Sequence, residues 1–152
     1  MVPREEHLAR QAVVDRCVTR SRFVGWSSTA IGALSGLIMG LWSFDGPAAV
    51  PAWLGDYGET SRRLARLGHI AFFGLGMLNL LMAGEFRQTT LGERGLQWAS
   101  KTIIFGNLFL PLTLFAAAVY HPLKYLMPFP ALSVLAAMML MAFGAYPRRN
   151  RL

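Results

Sequence analysis

Four long stretches without Asp, Glu, Lys or Arg constrain the fold of this chain more than any other feature. In a chain of 152 residues they cover 23–44, 67–84, 102–123 and 125–147. Each is close to the roughly 20 apolar residues that a helix needs to cross a lipid bilayer. The sequence therefore predicts four transmembrane helices, at residues 23–43, 64–84, 102–120 and 127–146.

The composition argues against the alternative fold, a soluble four-helix bundle. Helices of a soluble bundle carry a polar stripe toward water, whereas these stretches are apolar on all sides. Charged residues make up 15% of the chain, against about 25% in a typical soluble domain. The predicted fold class is all-α: a polytopic integral membrane protein whose four transmembrane helices form an up-down bundle.

The basic residues predict how the chain is threaded. Eleven of the 15 lie before helix 1, between helices 2 and 3, or after helix 4, whereas the other side holds only Arg62, Arg63, Arg66 and Lys124. Because cytoplasmic segments of membrane proteins are rich in Lys and Arg, we expect both termini in the cytoplasm. The expected location is the inner (plasma) membrane of a bacterial type of cell. There the net charge of +7 faces anionic lipid rather than nucleic acid.

The chain is expected to have three parts. Residues 1–22 form a basic cytoplasmic segment, either a short amphipathic helix on the membrane surface or a partly ordered tail. Residues 23–146 form the four-helix transmembrane domain, and residues 147–152 form a basic cytoplasmic tail. The first segment lacks the long apolar run of a signal peptide, so helix 1 is expected to be an uncleaved anchor.

Glycine and proline residues predict how the helices pack. Gly32, Gly36 and Gly40 form a double GxxxG motif in helix 1, and such motifs let two helix backbones approach closely. The partner of this motif is either another helix of the chain or another subunit. Pro111 predicts a kink in helix 3, because proline cannot donate to the carbonyl of Asn107 four residues earlier.

Two asparagines lie within otherwise apolar helices. Asn79 in helix 2 and Asn107 in helix 3 are expected at the same depth, because the two helices run in opposite directions. One interpretation is an interhelical hydrogen bond between them, which contributes about 0.6–2 kcal/mol. The alternative is a functional polar site within the membrane.

Candidate cofactor-binding residues gather at the outer end of helix 2. Arg62, Arg66 and His69 share one face of that helix, and His121 ends helix 3 on the same side. Two imidazoles from different helices can ligate haem iron or copper, and the arginines would then face the haem propionates or another anion. The alternatives for His69 are an interfacial histidine bonded to a loop carbonyl, a quinone contact or a proton relay.

The arginines at the start of helix 2 also have two interpretations. Arg62, Arg63 and Arg66 oppose the general charge trend and lie at the positive end of the helix dipole. In the first interpretation they pair with acids of the same outer loop, which are Asp45, Asp56 and Glu59. In the second they bind an anion or an acidic partner surface.

No catalytic motif stands out in the sequence. GxSxG, HExxH and Walker motifs are absent, and Cys17 is the single cysteine, which excludes a CxxC redox pair and a cysteine-based metal site. The predicted spans contain no Asp or Glu, which argues against an ion-coupled transporter. These observations lean against an enzyme.

Two family resemblances bear on the function. The length, the four spans and the basicity resemble the membrane glutathione-transferase class, although the arginine- and glutamate-bearing motif of that class is missing from helix 2. The stretch GHIAFFGLG resembles small four-helix bacterial membrane proteins linked to haem or copper. The second resemblance covers about one helix and implies a metal-bearing cofactor, and it assigns no residue roles.

The leading hypothesis is a non-catalytic accessory or assembly subunit of a membrane redox complex, such as a respiratory complex. Helix 1 would dock on another membrane subunit or a second copy through its glycines, and the outer polar cluster would touch a cofactor or an acidic partner. One alternative is a haem-binding electron-transfer protein or oxidoreductase. A second alternative is a structural protein that interacts with membrane lipid and holds no cofactor.

Overall fold

The part of the chain that the structure describes is helical. The computed structural model describes residues 4–43 and 46–146, which hold four α-helices and one short 3-10 helix, without a strand. These are α1 (Arg4–Gly40), α2 (Thr60–Glu85), α3 (Glu93–Val119), the 3-10 helix (His121–Leu126) and α4 (Pro128–Ala145). Four helical segments, the last formed by the 3-10 helix and α4 together, are long and apolar enough to cross a membrane. The prediction of an all-α protein with four membrane-length helices is therefore confirmed.

Two helices begin well before the predicted spans. The first α-helix starts at residue 4 rather than near residue 23, and α3 starts at residue 93 rather than near residue 102. Residues 4–22 are thus the first half of α1 rather than a separate surface helix or a tail. These added turns are rich in Arg, Gln, Glu and Ala, which favour helix. The predicted tail at residues 147–152 lies outside the described residues.

Glycines bring α1 and α2 into close contact. A Cβ added at Gly32 would lie 2.6 Å from the backbone nitrogen of Phe73, a separation that no side chain tolerates. Further along α1, Gly36 faces the ring of His69, with its ideal Cβ position 3.2 Å from the ring. Glycine at these positions allows the backbones to approach.

The double GxxxG motif is therefore used within the chain. Gly32 and Gly36 face α2, whereas no described atom lies within 4 Å of the position that a Cβ of Gly40 would take. The hypothesis that these glycines dock helix 1 on another subunit needs correction, because α2 already covers the first two of them.

Two serine contacts join α1 to α3. Ser21 Oγ lies 3.3 Å from Ser100 Oγ, and Ser28 Oγ donates to Asn107 Oδ1 at 2.8 Å. Each pair is separated by 79 positions, so the two helices run in the same direction where they touch. The seven-residue spacing on both helices keeps these contacts on one face.

The main apolar core lies between α1, α2 and α3, and one face of α4 closes it. Phe86, Leu96 and Ile103 are fully buried members of this core. The last helix packs mainly on α3, where Ala137 is buried against the core. Because α4 is covered on one side only, most of its apolar side chains remain exposed, as is normal for a helix that faces lipid.

Polar contacts mark two ends of the helices, which we name after Thr89 and Tyr57. At the Thr89 end, Arg10 donates to the carbonyl of Thr89 at 3.2 Å, and the hydroxyl of Thr90 donates to the carbonyl of Gly144 at 2.9 Å. The Tyr57 end is formed by the start of α2, the loop before it and the 3-10 helix. Most of the predicted site residues lie at the Tyr57 end.

Candidate functional site

Two arginines of α2 surround one tyrosine ring at the Tyr57 end. The guanidinium carbons of Arg66 and Arg62 lie 4.2 Å and 5.1 Å from the ring centroid of Tyr57, where the face of an aromatic ring attracts a cation. Arg62 also donates to the carbonyl of Trp42 and is 6% exposed. Arg66 donates to the carbonyl of Tyr57 at 3.4 Å. Protein groups thus hold both cations in place.

The loop before α2 positions Tyr57 next to the two arginines. Leu54 is 1% exposed and packs in a small apolar cluster with side chains from α1, α2 and α3. Gly55 follows with φ of +64°, a left-handed conformation that suits glycine. The chain then turns through Tyr57 into α2, where Arg62 and Arg66 lie one turn apart on the same face.

Within the described part of the chain, no carboxylate pairs with these arginines. The ion pair that does form there lies at the Thr89 end. The predicted local pairing with Asp56 and Glu59 is not formed, and Asp45 lies outside the described residues. Glu59 instead turns its side chain back over Gly55, with its Cγ 2.8 Å from the ideal Cβ position of that glycine. The positive charge of Arg62 and Arg66 is therefore offset by carbonyls and a ring face, not by described acids.

The two candidate histidines contact different neighbours. His121 is exposed, and its Nε2 lies 3.2 Å from the hydroxyl of Ser61 near the start of α2. His69 is half-buried and faces Gly36 of α1. Its Nδ1 is buried and has no hydrogen-bond partner among the described residues.

The structure does not bring these histidines onto a shared ligand position. Ser61, which contacts His121, is eight residues before His69, which corresponds to about 12 Å along the helix. The His69 ring is directed at α1, while the His121 ring lies beside the start of α2. In this conformation the two imidazoles do not form the pair of axial ligands that a haem iron takes.

A second polar cluster lies in the interior, between α1, α2 and α3. Ser28, Asn79 and Asn107 are each 1% exposed or less. Asn107 accepts a hydrogen bond from Ser28, not from Asn79 as the predicted asparagine pair required. Both side-chain polar atoms of Asn79 and the Nδ2 of Asn107 have no hydrogen-bond partner among the described residues. A buried amide without a hydrogen-bond partner lowers the stability of the fold, unless a bound polar molecule forms the missing hydrogen bonds.

Asn79 lies close to the level of this serine–asparagine bond. It follows Gly76 by one helical turn. A Cβ at Gly76 would meet the Thr29 hydroxyl at 2.5 Å and the Thr29 nitrogen at 2.8 Å, and Thr29 directly follows Ser28. The amide of Asn79 is thus within about one turn of the Ser28–Asn107 pair.

Sequence reasoning missed two contributors to these clusters. Ser28 was not among the residues expected to form the interior polar cluster, although it supplies the donor for Asn107. Tyr57 was not among the expected site residues, although its ring lies against both arginines. A signal for the first was available: Ser21 and Ser28 repeat at the same spacing as Ser100 and Asn107.

The two clusters present cations and amide groups. The described residues hold no group of three or more His, Cys, Asp or Glu side chains that could bind a metal ion. The arginines can bind an anionic group, and the buried amides keep unused hydrogen-bonding atoms. Comparison of the chain with protein-family models, curated proteins and solved structures finds no match.

Proposed function

We propose that this protein is a non-catalytic accessory subunit of a membrane complex. In this proposal the four helices form an up-down bundle in an inner (plasma) membrane of bacterial type, with both termini and the Thr89 end in the cytoplasm. The supporting observation is the arginine cluster of the Tyr57 end, defined as Arg62, Arg63 and Arg66. It concentrates three cations on the side of the membrane that is otherwise poor in them.

The arginine cluster supports a partner with an acidic surface. Arg62 and Arg66 are held by Tyr57 and by carbonyls, so their geometry exists before any ligand arrives. Arg63 is exposed beside them. An arginine held in place loses less side-chain entropy when it binds a carboxylate, and it can bind in a bidentate manner. A carboxylate of another subunit would supply the charge that the described residues leave unmatched.

A redox role for the complex is a narrower proposal. It rests on His69 and His121, which belong to the same end of the molecule as the arginine cluster and can contact a cofactor held by a neighbouring subunit. A haem held by both histidines of one chain is less well supported, because the rings face different elements. A visible absorption spectrum of the purified protein, produced with haem supplied, separates these cases. A Soret band that His69→Ala abolishes would favour the haem-binding alternative.

Charge neutralisation tests the accessory role. The tagged chain is produced at native levels and gently solubilised, and the co-purified proteins are quantified for wild type and for the double variant Arg63→Gln/Arg66→Gln. The matched control is Arg22→Gln/Arg94→Gln, which removes two exposed arginines that lie outside the Tyr57 end. We expect wild type and control to retain one partner in a fixed ratio, and the cluster variant to lose most of it.

Salt and folding controls make this test specific. Interactions between exposed charges weaken at about 1 M salt because the Debye length falls to about 3 Å, so the wild-type complex should also dissociate under those conditions. Gel filtration and thermal unfolding check that each variant is folded. A wild-type chain that purifies alone, or a cluster variant that keeps the partner, would contradict the proposal.

A further inference from the structure

We propose that the groove between α1 and α3 is a binding site for one anionic glycerophospholipid. The groove has a volume of about 380 Å³ and begins at two basic side chains, Arg20 of α1 and Lys101 of α3. It continues along apolar side chains, among them Phe23, Phe105 and Phe109. This inference does not depend on the proposed accessory role.

Three basic side chains gather at the polar end of the groove, which we call its head. A smaller cavity of about 110 Å³ shares Arg20 and Lys101 with the groove and adds Arg16. All three cations line this smaller cavity together with Cys17, so they face one space. Among the described residues none of them forms an ion pair. Ser100 lines both cavities as well and is a polar residue next to Lys101 in α3.

The parallel direction of α1 and α3 explains why the groove is polar at one end and apolar at the other. Because Ser21 contacts Ser100, the preceding Arg20 and the following Lys101 come to the same level. Both helices then continue in the same direction into their charge-free stretches. The cations therefore stand at the boundary where a phospholipid headgroup lies, and the aromatic side chains lie where its acyl chains lie.

The dimensions of the groove suit an acyl chain. The wall from Lys101 to Phe109 is eight residues long, or about 12 Å of helix, and half of a bilayer's hydrocarbon core is about 15 Å. The rings of Phe105 and Phe109 stack with centroids 4.5 Å apart and form a continuous apolar surface. One leaflet's acyl chain can thus lie along the groove while its phosphate meets Arg20 and Lys101.

The positive charge of the head favours an anionic lipid over a zwitterionic one. Basic pockets between transmembrane helices attract the headgroups of anionic lipids, and each nearby Lys or Arg strengthens binding several-fold. A zwitterionic headgroup brings a cation that three uncompensated basic side chains repel. We therefore expect phosphatidylglycerol to bind on the order of tenfold more tightly than phosphatidylcholine with the same acyl chains.

Native mass spectrometry of the full chain in detergent, titrated with either lipid, tests this site. The variant Arg20→Gln/Lys101→Gln should weaken phosphatidylglycerol binding on the order of tenfold, to about the affinity for phosphatidylcholine, whose binding should stay nearly unchanged. The control Arg22→Gln/Arg94→Gln removes the same amount of charge from residues that do not line the groove. It should bind phosphatidylglycerol within about twofold of wild type.

A second variant tests the apolar wall without changing any charge. Leu108 lines the groove and is 37% exposed, so Leu108→Trp should fill the acyl path and weaken the binding of both lipids. Equal binding of the two lipids to wild type would overturn the proposal. It would also be overturned if both charge variants lost phosphatidylglycerol equally, or if Leu108→Trp bound it like wild type.

Discussion

At the scale of single residues, α1 and α2 pack closely because glycine leaves room for the neighbouring backbone. The ideal Cβ of Gly32 falls 2.6 Å from the backbone nitrogen of Phe73, which cannot move aside as a flexible side chain can. The sequence motif identified this glycine but not its neighbour. A glycine in a helix indicates that another helix can approach closely, but it does not identify that helix. The three-dimensional structure is needed to show that α2 is the neighbour.

Gly32→Ala is predicted to destabilise the protein. Overpacking of a close contact costs about 1–3 kcal/mol, which exceeds the gain of up to about 1 kcal/mol that alanine brings to a helix. Thermal unfolding in detergent, followed by intrinsic fluorescence, measures the change. Gly40→Ala is the matched control, since no described atom lies within 4 Å of its Cβ position, and it should unfold at or above the wild-type temperature. Equal unfolding temperatures for the two variants would refute the close contact.

Substitutions at two residues of the interior polar cluster are predicted to have opposite effects on stability. Ser28→Ala removes the donor to Asn107 and leaves a buried amide oxygen unpaired, which should cost about 1–2 kcal/mol. Asn79→Leu removes two unsatisfied polar atoms, so it should leave stability unchanged or increase it. The free energy of unfolding in mixed micelles measures both. A large loss of stability in Asn79→Leu would indicate that a bound polar molecule satisfies Asn79.

At the scale of secondary-structure elements, the sequence predicted the four spans well but not where α1 and α3 begin. Charge-free stretches mark the bilayer-crossing part of a helix, because burying a charge in lipid is costly. They do not mark where the helix stops, since polar helices remain stable in water beyond the membrane. The first helix and α3 therefore extend to Arg4 and Glu93, well outside the stretches that predicted them.

The candidate site was predictable by residue type but not by contact. Spacing correctly placed Arg62 and Arg66 on one face of α2. Spacing could not show that Asn107 forms a hydrogen bond with Ser28. The helical period tells which residues of one helix share a face, but not which residues of two helices lie opposite each other. The same limit applies to His69 and His121. They lie at the same end of the molecule, as predicted, but their rings contact different residues.

The loop before α2 is predicted to depend on one buried leucine. Leu54 is 1% exposed within a cluster formed by three helices, so Leu54→Ala should cost about 2–5 kcal/mol and loosen the arginine cluster. Trp53→Ala is the control, because that neighbouring side chain is 50% exposed. Protease cleavage of the loop, compared between the two variants at equal protein concentration, reports the change. Equal cleavage of both would show that Leu54 does not anchor the loop.

At the scale of the whole molecule, the distribution of basic residues predicts the orientation in the membrane. Reporter fusions that are active only outside the cytoplasm, placed after Gly58, Gly92 and Leu152, test it. We expect activity from the first fusion alone, because eleven of the 15 basic residues belong to the side shared by the other two positions. Activity at Leu152 with none at Gly58 would mean that the chain is inserted in the opposite orientation.

The most direct test of the accessory role is photocrosslinking in intact cells. A photoreactive amino acid replaces Gly58, which is exposed, lies beside Tyr57 and leaves its Cβ position without any described atom within 4 Å. The control replaces Gly92, which has the same properties at the Thr89 end. The account predicts one discrete cross-linked product with a second membrane protein from position 58, and none from position 92. No product from position 58, or the same products from both positions, would contradict it.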